Sequence, residues 1–375
     1  MEKESVESWE RYIFQIHSTV RDIDGLNPIE AVSEISNLLI LKIIFERLDI
    51  NCKGMLPEEI RKRFKDEIAV LDNQISDSIS LTDLCLSNVW GILECKELTK
   101  SGGDLLGRAI QKTISPNARS GMGQYFTPTQ VIKFMIEVIQ PKSDFLIIDP
   151  FHGSGEFLMQ AYNYCLEKEG NKSQNLFGIE KNPLVHKLSL LKSMLYSSEP
   201  KLILGDGFAE IFTLPNKGIA AFDAVLTNPP FGSKLQTENI LSPNDYSIIE
   251  NRKSINTETL AVERSLNLLK EGGKFGIIVP DSFLGNRNHS RIRSLISEKM
   301  DLRLVVSLPI ETFTPFGANV KSSIIFGKKQ INRKHDADNT HLIQINHVGY
   351  DSVGRITEKN DFKQALRQIG ENLWR

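Results

Sequence analysis

The sequence predicts an α/β protein with a mostly parallel sheet and one antiparallel edge strand, preceded by an N-terminal all-α domain. From about residue 120 onwards, short apolar runs alternate with helical patterns, which is typical of βαβ units and a sheet covered on both faces. Before that point, apolar residues recur at helical spacing with few helix breakers. We therefore place a helical domain at 1–119, an α/β domain at 120–350 and a C-terminal tail at 351–375.

The N-terminal domain is predicted from segments with apolar residues on several sides. Ala31–Leu48 has this spacing throughout. Pro57 opens a second segment and is followed by two acids, an arrangement common in the first turn of a helix. Asp83–Lys96 and Leu105–Ile114 are the other candidates. Such helices are expected to pack together as a small bundle.

The α/β region is predicted element by element from its alternating pattern. The strands are Phe145–Asp149, Leu176–Glu180, Leu202–Asp206, Phe222–Thr227, Lys274–Val279, Leu302–Leu308 and Ser322–Phe326. The helices between them are Gly155–Glu167, Leu184–Tyr196, Thr259–Lys270 and Arg291–Met300. Because no helix precedes Ser322–Phe326, we expect that strand to run antiparallel, with His341–Val348 as a further edge strand. The polar stretch Gly232–Glu258 has no pattern, so we expect an irregular loop that is functional or disordered.

Composition excludes several classes of protein. The chain has 375 residues, of which 40% are hydrophobic and 25% charged, as in ordinary globular proteins. It has no apolar run long enough to span a membrane, and the charged segment Met1–Arg11 lacks the apolar stretch of a signal peptide. Four widely spaced cysteines without a CxxC pair predict neither a disulfide framework nor a zinc site. We therefore expect a cytoplasmic protein without a metal site or a membrane partner.

A glycine-rich turn follows the first predicted strand and opens the next helix. It consists of Asp149, Pro150, Phe151, His152, Gly153, Ser154, Gly155 and Glu156. Glycines allow a tight turn and a close backbone approach to a ligand, and the free N–H groups of the helix start bind acceptor atoms. Ligands of open α/β sheets bind at this edge, although a purely structural turn is the alternative.

Acidic residues end the next two predicted strands. Glu180 stands 27 positions after Gly153, more than the roughly 20 of the nicotinamide-cofactor fingerprint, and the GxGxxG pattern is absent. This favours an adenosine-type cofactor, with Glu180 placed to accept hydrogen bonds from ribose hydroxyls. Asp206 ends the third strand. A helix cap at Glu180 and a turn at Asp206 are the local alternatives, whereas one ligand across the sheet edge explains both acids.

The most specific motif is Asn228-Pro229-Pro230-Phe231, which follows the fourth predicted strand. The prolines remove two backbone donors, while their carbonyls remain acceptors beside the side-chain oxygen of Asn228. Two acceptors and an aromatic ring suit a planar NH₂ group, because the acceptors hold both hydrogens and the ring stacks on its plane. Held in this way, the nitrogen is drawn towards tetrahedral geometry and its lone pair is aimed at an electrophile. A simple turn after the strand is the alternative.

Together these motifs resemble those of the γ-class amino-methyltransferases of DNA, and most closely the modification subunits of type I restriction-modification systems. The shared pieces are Gly123–Pro128, Asp149–Glu156, Gly178–Glu180, Asn228–Ser233, Gly272–Asp281, Leu308–Phe313 and Val320–Ser322. The resemblance covers Gly107 to about Asp361. It implies the Rossmann-like fold of S-adenosylmethionine-dependent methyltransferases, and methyl transfer from that cofactor to the N6 amine of adenine in DNA.

The resemblance also implies a role for each motif residue. The cofactor-binding residues would be Gln124, Tyr125, Phe126, Thr127, Pro128, Asp149, Gly153, Ser154, Gly155, Glu156, Glu180 and Asp206. Thr127 would contact the carboxylate end of the cofactor, Glu180 the ribose and Asp206 the adenine amine. The catalytic residues would be Asn228, Pro229, Pro230 and Phe231. Asn228 and Pro229 would bind the target N6, and the aromatic ring would stack on the flipped base.

The charge balance bears on the partners. The chain has 45 basic and 47 acidic residues, a formal net charge of −2, which is low for a protein that neutralises many phosphates alone. We therefore expect DNA contact to be shared with a specificity subunit that supplies target recognition. A restriction subunit is a further expected partner. Tight binding of DNA by the isolated chain at physiological salt would contradict this expectation.

Other functions are weighed against this one. Methylation of a protein glutamine amide uses a similar motif, since a carboxamide NH₂ resembles the adenine amine, but that motif has Tyr where Phe231 stands. A catalytically idle assembly partner is the other alternative, against which the intact motif at Asn228 argues. Cytosine C5 methylation needs a thiolate, and no Pro-Cys pair occurs. The run Arg287–Arg293 is either a phosphate contact or a solvated helix start.

Overall fold

The chain divides into two compact units. The structure, a computed structural model, describes residues 6–71, 78–101, 109–110, 127–171, 175–196, 198–209, 214–330, 340–370 and 373–374. One unit combines Met1–Gln124 with Asn182–Glu199, and the other combines Tyr125–Lys181 with Pro200–Arg375. The helix predicted at Leu184–Tyr196 therefore lies in the helical unit, although the alternating pattern assigned it to the α/β domain.

The described helices agree with the segments predicted from apolar spacing and add others. They are α1 (Val6–Asp24), α2 (Pro28–Arg47), α3 (Pro57–Leu71), α4 (Asp83–Leu93), α5 (Thr129–Ile139), α6 (Glu156–Glu169), α7 (Pro183–Leu195), α8 (Thr257–Leu268), the single turn α9 (Ser282–Gly285), α10 (Ser290–Lys299) and α11 (Phe362–Ile369). None of them is long and apolar enough to cross a membrane. Most of the segment predicted at Leu105–Ile114 lies outside the described residues.

The first unit is organised around α2, which packs against α1, α3, α4 and α7. Its buried residues lie on all sides of the helix, as expected for a helix at the centre of a bundle. Asn27 caps it: the Oδ1 atom accepts from the backbone N–H groups of Ile29 and Glu30, and the Glu30 carboxylate accepts from the N–H of Asn27. This reciprocal capping fixes where α2 begins.

The second unit contains an eight-stranded sheet with the order β10-β8-β9-β7-β4-β1-β2-β3. The described strands are β1 (Ile147–Asp149), β2 (Leu176–Glu180), β3 (Lys201–Leu204), β4 (Phe222–Thr227), β5 (Lys234–Gln236), β6 (Ser254–Asn256), β7 (Leu269–Pro280), β8 (Met300–Ser307), β9 (Ser322–Lys329), β10 (His341–Gln344), β11 (Val348–Tyr350) and β12 (Ile356–Asn360). Pairing is parallel from β3 through β2, β1 and β4 to β7. The predicted fold class, a mostly parallel sheet with one antiparallel strand, is confirmed.

One detail of that prediction is wrong: the antiparallel strand is not at the edge. β9 lies between β7 and β8 and pairs antiparallel with both, whereas the edge strand is β10, which runs parallel to β8. The burial pattern explains this position, because six consecutive residues of β9, Ser322 to Gly327, are buried. A strand buried on both faces belongs in the interior of a sheet.

Helices cover both faces of the sheet. On one face, Phe275, Ile277 and Val279 of β7 join a buried cluster that includes residues of α8 and α10. On the other face, the ring of Phe326 on β9 lies 6.2 Å from the ring of Phe134 on α5. The strand ends are therefore the part of the sheet available to a ligand.

The polar stretch after the fourth strand is folded, so the prediction of an irregular loop is wrong. β5 and β6 pair antiparallel within it, with Leu235 opposite Ile255. Its few apolar side chains, among them Ile240, Tyr246 and Ile248, are buried in the cluster beneath α8. Single apolar anchors separated by polar residues have no regular period, which is why the sequence pattern does not reveal this packing.

Candidate active site at the carboxyl edge of the sheet

The ends of three neighbouring parallel strands meet at one edge of the sheet. Asp149 ends β1, Glu180 ends β2 and Thr227 ends β4. The hydroxyl of Thr227 donates a 2.6 Å hydrogen bond to Oδ1 of Asp149, and the backbone N–H of Phe151 donates to the same oxygen at 3.0 Å. The carboxyl of Asp149 therefore ties the first turn to the residue immediately before Asn228.

Burial determines the protonation of Asp149. Its side chain is 1% exposed, and loss of solvation raises the pKa of the carboxyl from 3.8 to about 7. The hydrogen bonds from Thr227 and Phe151 act in the opposite direction, while the charge of Glu180 raises the pKa further. The edge thus holds a carboxyl that titrates near neutral pH.

The glycine turn after β1 has the backbone conformation that its sequence predicts. Gly153 and Gly155 have φ angles of +55° and +77°, a region that favours glycine. The N–H of Gly153 donates to Oε2 of Glu180 at 3.2 Å, which joins the first turn to the end of β2. Ser154 lies between the two glycines, and Gly155 immediately precedes α6.

Two further residues of this turn, His152 and Glu156, contact neighbouring parts of the protein. The ring of His152 is buried over Gly178 of β2, where a Cβ atom would come within 2.6 Å of Cδ2 of the imidazole. Glu156 is the first residue of α6, and its Oε1 accepts a 2.8 Å hydrogen bond from Gln160. A carboxylate in the first turn of a helix is favourable there.

The turn after β3 packs against the first turn. Oδ1 of Asp206 accepts from the N–H of Phe208 at 3.0 Å, and Oδ2 lies 2.9 Å from the ammonium of Lys181. The rings of Phe151 and Phe208 are 4.8 Å apart. These contacts place Asp206 at the same edge as Glu180.

The fourth strand ends in the motif that carries the proposed chemistry. Nδ2 of Asn228 donates a 2.9 Å hydrogen bond to the hydroxyl of Thr127. Among the described residues, Oδ1 of Asn228 is buried and has no hydrogen-bond partner. Pro229 is buried, Pro230 is exposed and Phe231 is half-buried. An orphaned acceptor beside a partly open aromatic ring is an arrangement that an NH₂ group of a ligand would complete.

A buried carboxylate supports the backbone that follows the motif. Oε2 of Glu258, at the start of α8, accepts from the N–H of Gly232 at 3.3 Å. Nε2 of His289 lies 3.8 Å from Oε1 of Glu258, and Nδ1 of the same ring is 2.7 Å from the hydroxyl of Thr259. Burial lowers the pKa of His289, and the charge of Glu258 opposes that shift. Because this cluster is enclosed, it positions the backbone rather than reaching a substrate.

Not every predicted site residue can be placed. Gln124, Tyr125 and Phe126 lie outside the described residues. Thr127 is described and contacts Asn228, and Pro128 is the buried residue immediately before α5.

Two arginines of the basic run, Arg291 and Arg293, bind the protein itself. Arg291 donates to the carbonyl of Ser247 at 2.7 Å and pairs with Glu250 at 3.1 Å. Arg293 donates to the carbonyls of Phe283 and Asn286, each at 2.8 Å. The sequence predicts either a phosphate contact or a solvated helix start for this run, whereas the structure shows that these two side chains bind the protein itself.

The sequence does not indicate three residues that contribute to this site, Thr227, Lys181 and Glu258. Thr227 and Lys181 each adjoin a residue that was singled out, and proximity in the sequence was the available signal. Glu258 has no such signal, because its contact with Gly232 spans 26 residues.

The residues at this edge fit S-adenosylmethionine. Glu180 and Asp206 offer carboxylate oxygens to hydroxyl and amine groups, and the glycine turn lets the backbone approach the ligand closely. These two acids also make the edge suited to a positively charged sulfonium. The chain therefore has the fold of the S-adenosylmethionine-dependent methyltransferases, and the residues at its carboxyl edge fit their cofactor.

Comparison with known proteins identifies the family within that class. The profile of the N-6 DNA methylase family matches residues 101–371. The chain belongs to this family.

Individual relatives agree with the family. The chain is 31% identical over 220 residues to the type I restriction enzyme EcoEI methylase subunit of Escherichia coli, covering 55% of this chain and 42% of that one. It is 25% identical over 363 residues to the StySJI methylase subunit of Salmonella typhimurium, covering 84% and 66%. A type I restriction-modification methyltransferase subunit from Streptococcus thermophilus has the same fold, with a TM-score of 0.70, 15% identity and coverage of 98% and 93%. The chain thus spans less than two thirds of the length of either sequence relative.

Proposed function

We propose that the chain transfers a methyl group from S-adenosylmethionine to the N6 amine of adenine in DNA, as the modification subunit of a type I restriction-modification system. The observation that carries this proposal is the buried, unpartnered Oδ1 of Asn228 among the described residues. Its neighbour Nδ2 is held by Thr127, so the amide presents its oxygen and not its nitrogen to a ligand.

The residues of the motif would act by positioning. S-adenosylmethionine supplies an electrophilic methyl group on a sulfonium. Asn228 and the carbonyl of Pro229 would accept the two hydrogens of the adenine amine, and Phe231 would stack on the extruded base. Held in this way by Asn228 and Pro229, the amine would direct its lone pair at the methyl group that the cofactor supplies, and its extra proton would then pass to water. Catalysis then rests on orientation and electrostatics.

The acids of the edge would orient the cofactor. Glu180 is assigned to the ribose hydroxyls and Asp206 to the adenine amine, while Gly153, Ser154, Gly155 and Glu156 hold the amino acid portion. Thr127 can serve both ligands, because a hydroxyl that accepts from Asn228 retains a proton to donate to a carboxylate.

Family membership favours DNA over a protein glutamine as the substrate. The two sequence relatives described above are methylase subunits of type I restriction enzymes, and this supports assembly with a specificity subunit and a restriction subunit. The net charge of −2 supports the same arrangement, because another subunit would supply most of the phosphate contacts.

Methyl transfer from isotopically labelled cofactor tests the proposal. The chain is assayed on DNA with and without a co-expressed specificity subunit, and the methylated nucleosides are separated after digestion. We expect label in N6-methyladenine only when the complex is present, and loss of that label in N228A. Label in protein glutamine and none in any DNA would refute the proposal.

A further inference from the structure

Three consecutive carbonyls of the turn after β3 accept hydrogen bonds from two side chains that are distant in the sequence. Nε of Arg264 donates to the carbonyl of Gly207 at 3.0 Å, and Nη2 donates to that of Ala209 at 2.8 Å. The hydroxyl of Tyr246 donates to the carbonyl between them, that of Phe208, at 2.5 Å. The whole turn is therefore held from one side.

Both side chains are enclosed by the protein. Arg264 is 1% exposed and Tyr246 is 3% exposed. Burial raises the pKa of Tyr246 above its usual value, so its hydroxyl stays protonated and can donate near neutral pH. Within the described part of the chain, Arg264 forms no ion pair with a carboxylate, and its hydrogen bonds go to the turn. Burying a guanidinium for two backbone carbonyls is costly, which indicates that the position of these carbonyls matters.

The turn begins with the acid assigned to the cofactor. Asp206 precedes the first of the three carbonyls, and its own Oδ1 accepts from the N–H of Phe208. A rotation of the peptide at Phe208 would therefore move the carboxylate of Asp206. The hydrogen bonds that Tyr246 and Arg264 donate to the three carbonyls fix the backbone of the turn. The bond from the N–H of Phe208 to Asp206 then fixes the direction in which the carboxylate points.

We infer that Tyr246 and Arg264 are positioning residues for cofactor recognition: they hold the β3 turn so that Asp206 meets the 6-amine of the adenine ring. The inference rests on the proposed function, which assigns the adenine to Asp206. The inference also gives a role to the folded stretch Gly232–Glu258, because Tyr246 belongs to that stretch.

Calorimetric binding of two nucleosides to the full chain tests the inference. S-adenosylhomocysteine carries a 6-amine, and S-inosylhomocysteine carries a 6-carbonyl that a carboxylate repels. We expect the unmodified chain to prefer the first ligand by at least about tenfold. Tyr246→Phe and Arg264→Lys should each weaken the binding of S-adenosylhomocysteine about fivefold and leave the binding of S-inosylhomocysteine almost unchanged. The preference for the first ligand should therefore fall.

Two further variants make the result interpretable. Tyr350→Phe removes a matched buried hydroxyl, which donates to the carbonyl of Thr312 at 2.7 Å, and should leave the preference unchanged. Asp206→Asn should abolish it. If Tyr246→Phe and Arg264→Lys lower the melting temperature but keep the full preference, their role is structural only and the inference fails. If the unmodified chain binds neither nucleoside, the proposed function fails together with it.

Discussion

The side-chain amide of Asn228 donates a 2.9 Å hydrogen bond to the hydroxyl of Thr127, a residue 101 positions earlier in the chain. This bond fixes the amide so that its oxygen is the atom left to accept from a substrate. Thr127, two residues before α5, and the motif after β4 therefore lie in one site, in which Thr127 supplies the orientation and Asn228 supplies the acceptor.

The first prediction concerns this bond. Thr127→Val removes the hydroxyl at almost constant volume, so the amide of Asn228 loses its anchor. We expect the turnover number for methyl transfer at saturating cofactor to fall about tenfold, equivalent to about 1.4 kcal/mol of transition-state stabilisation. Thr127→Ser keeps the hydroxyl and should retain most of the activity. Equal losses in the valine and serine variants would contradict the role of the hydroxyl.

The second prediction concerns the close packing of the first and third turns. A Cβ atom on Gly207 would lie 2.1 Å from the carbonyl oxygen of Pro150, so one of the two backbones must move. Gly207→Ala is therefore expected to weaken binding of S-adenosylhomocysteine more than tenfold, and to lower stability by about 2 kcal/mol. Gly91→Ala in α4 is the control, because nothing lies near its added methyl group. It should stabilise the protein by roughly 0.5–1 kcal/mol, through better helix propensity.

The third prediction concerns the support behind the motif. Glu258→Ala leaves the N–H of Gly232 without its acceptor, and the backbone after Phe231 is then free to shift. We expect the single-turnover rate of methyl transfer to fall about tenfold, with unchanged affinity for the cofactor. Glu258→Gln keeps an acceptor oxygen, so its single-turnover rate should fall less than that of Glu258→Ala. Glu238→Ala, at an exposed carboxylate of the same stretch, should behave like the unmodified protein. Weaker cofactor binding in Glu258→Ala would indicate a wider structural defect instead.

The sequence predicts the central strands β1, β2 and β4 well because each of these is a buried apolar run. The bounds of Leu176–Glu180 and Phe222–Thr227 agree fully with β2 and β4, and the residues that end these strands meet at the edge as expected. Parallel strands place their carboxyl ends together whatever the details of packing, so a strand-end acid can be assigned to the edge from local pattern alone.

The rest of the site depends on contacts that have no local signal. Arg264 meets the carbonyl of Gly207 across 57 residues, and Glu258 meets Gly232 across 26. Nothing in the immediate neighbourhood of these residues distinguishes them from surface charges. The position of β9 is a similar case, because two strands in sequence order need not be neighbours in the sheet.

The fourth prediction separates structural arginines from those that contact DNA. Arg293→Met removes two hydrogen bonds to the carbonyls of Phe283 and Asn286 and should lower stability by about 1–2 kcal/mol. The dependence of DNA binding on salt concentration should not change, because the guanidinium neutralises no phosphate. Arg287→Met, at an exposed arginine of the same run, should leave stability unaltered. If the slope of the logarithm of the DNA-binding constant against the logarithm of salt concentration fell by about one in Arg293→Met, this side chain would contact DNA after all.

The fifth prediction follows from the raised pKa of Asp149, which is about 7 in the folded chain against 3.8 for the free group. Between these two values the folded state holds a proton that the unfolded state has released. Stability therefore falls as the pH rises through this window. Asp149→Asn cannot titrate, yet its side-chain oxygen can still accept from Thr227 and from the N–H of Phe151. The variant thus removes the loss of stability that accompanies rising pH, and it preserves the hydrogen bonds from Thr227 and Phe151.

Denaturant unfolding of both proteins at pH 5 and pH 8 measures this effect. The free energy of unfolding of Asp149→Asn, relative to that of the unmodified chain, should rise between these pH values by on the order of 2 kcal/mol. Glu238→Gln replaces an exposed carboxyl and should show no such rise. A difference that stays constant with pH would mean that Asp149 is ionised throughout. The edge would then carry a fixed negative charge at Asp149, in place of a group that titrates near neutral pH.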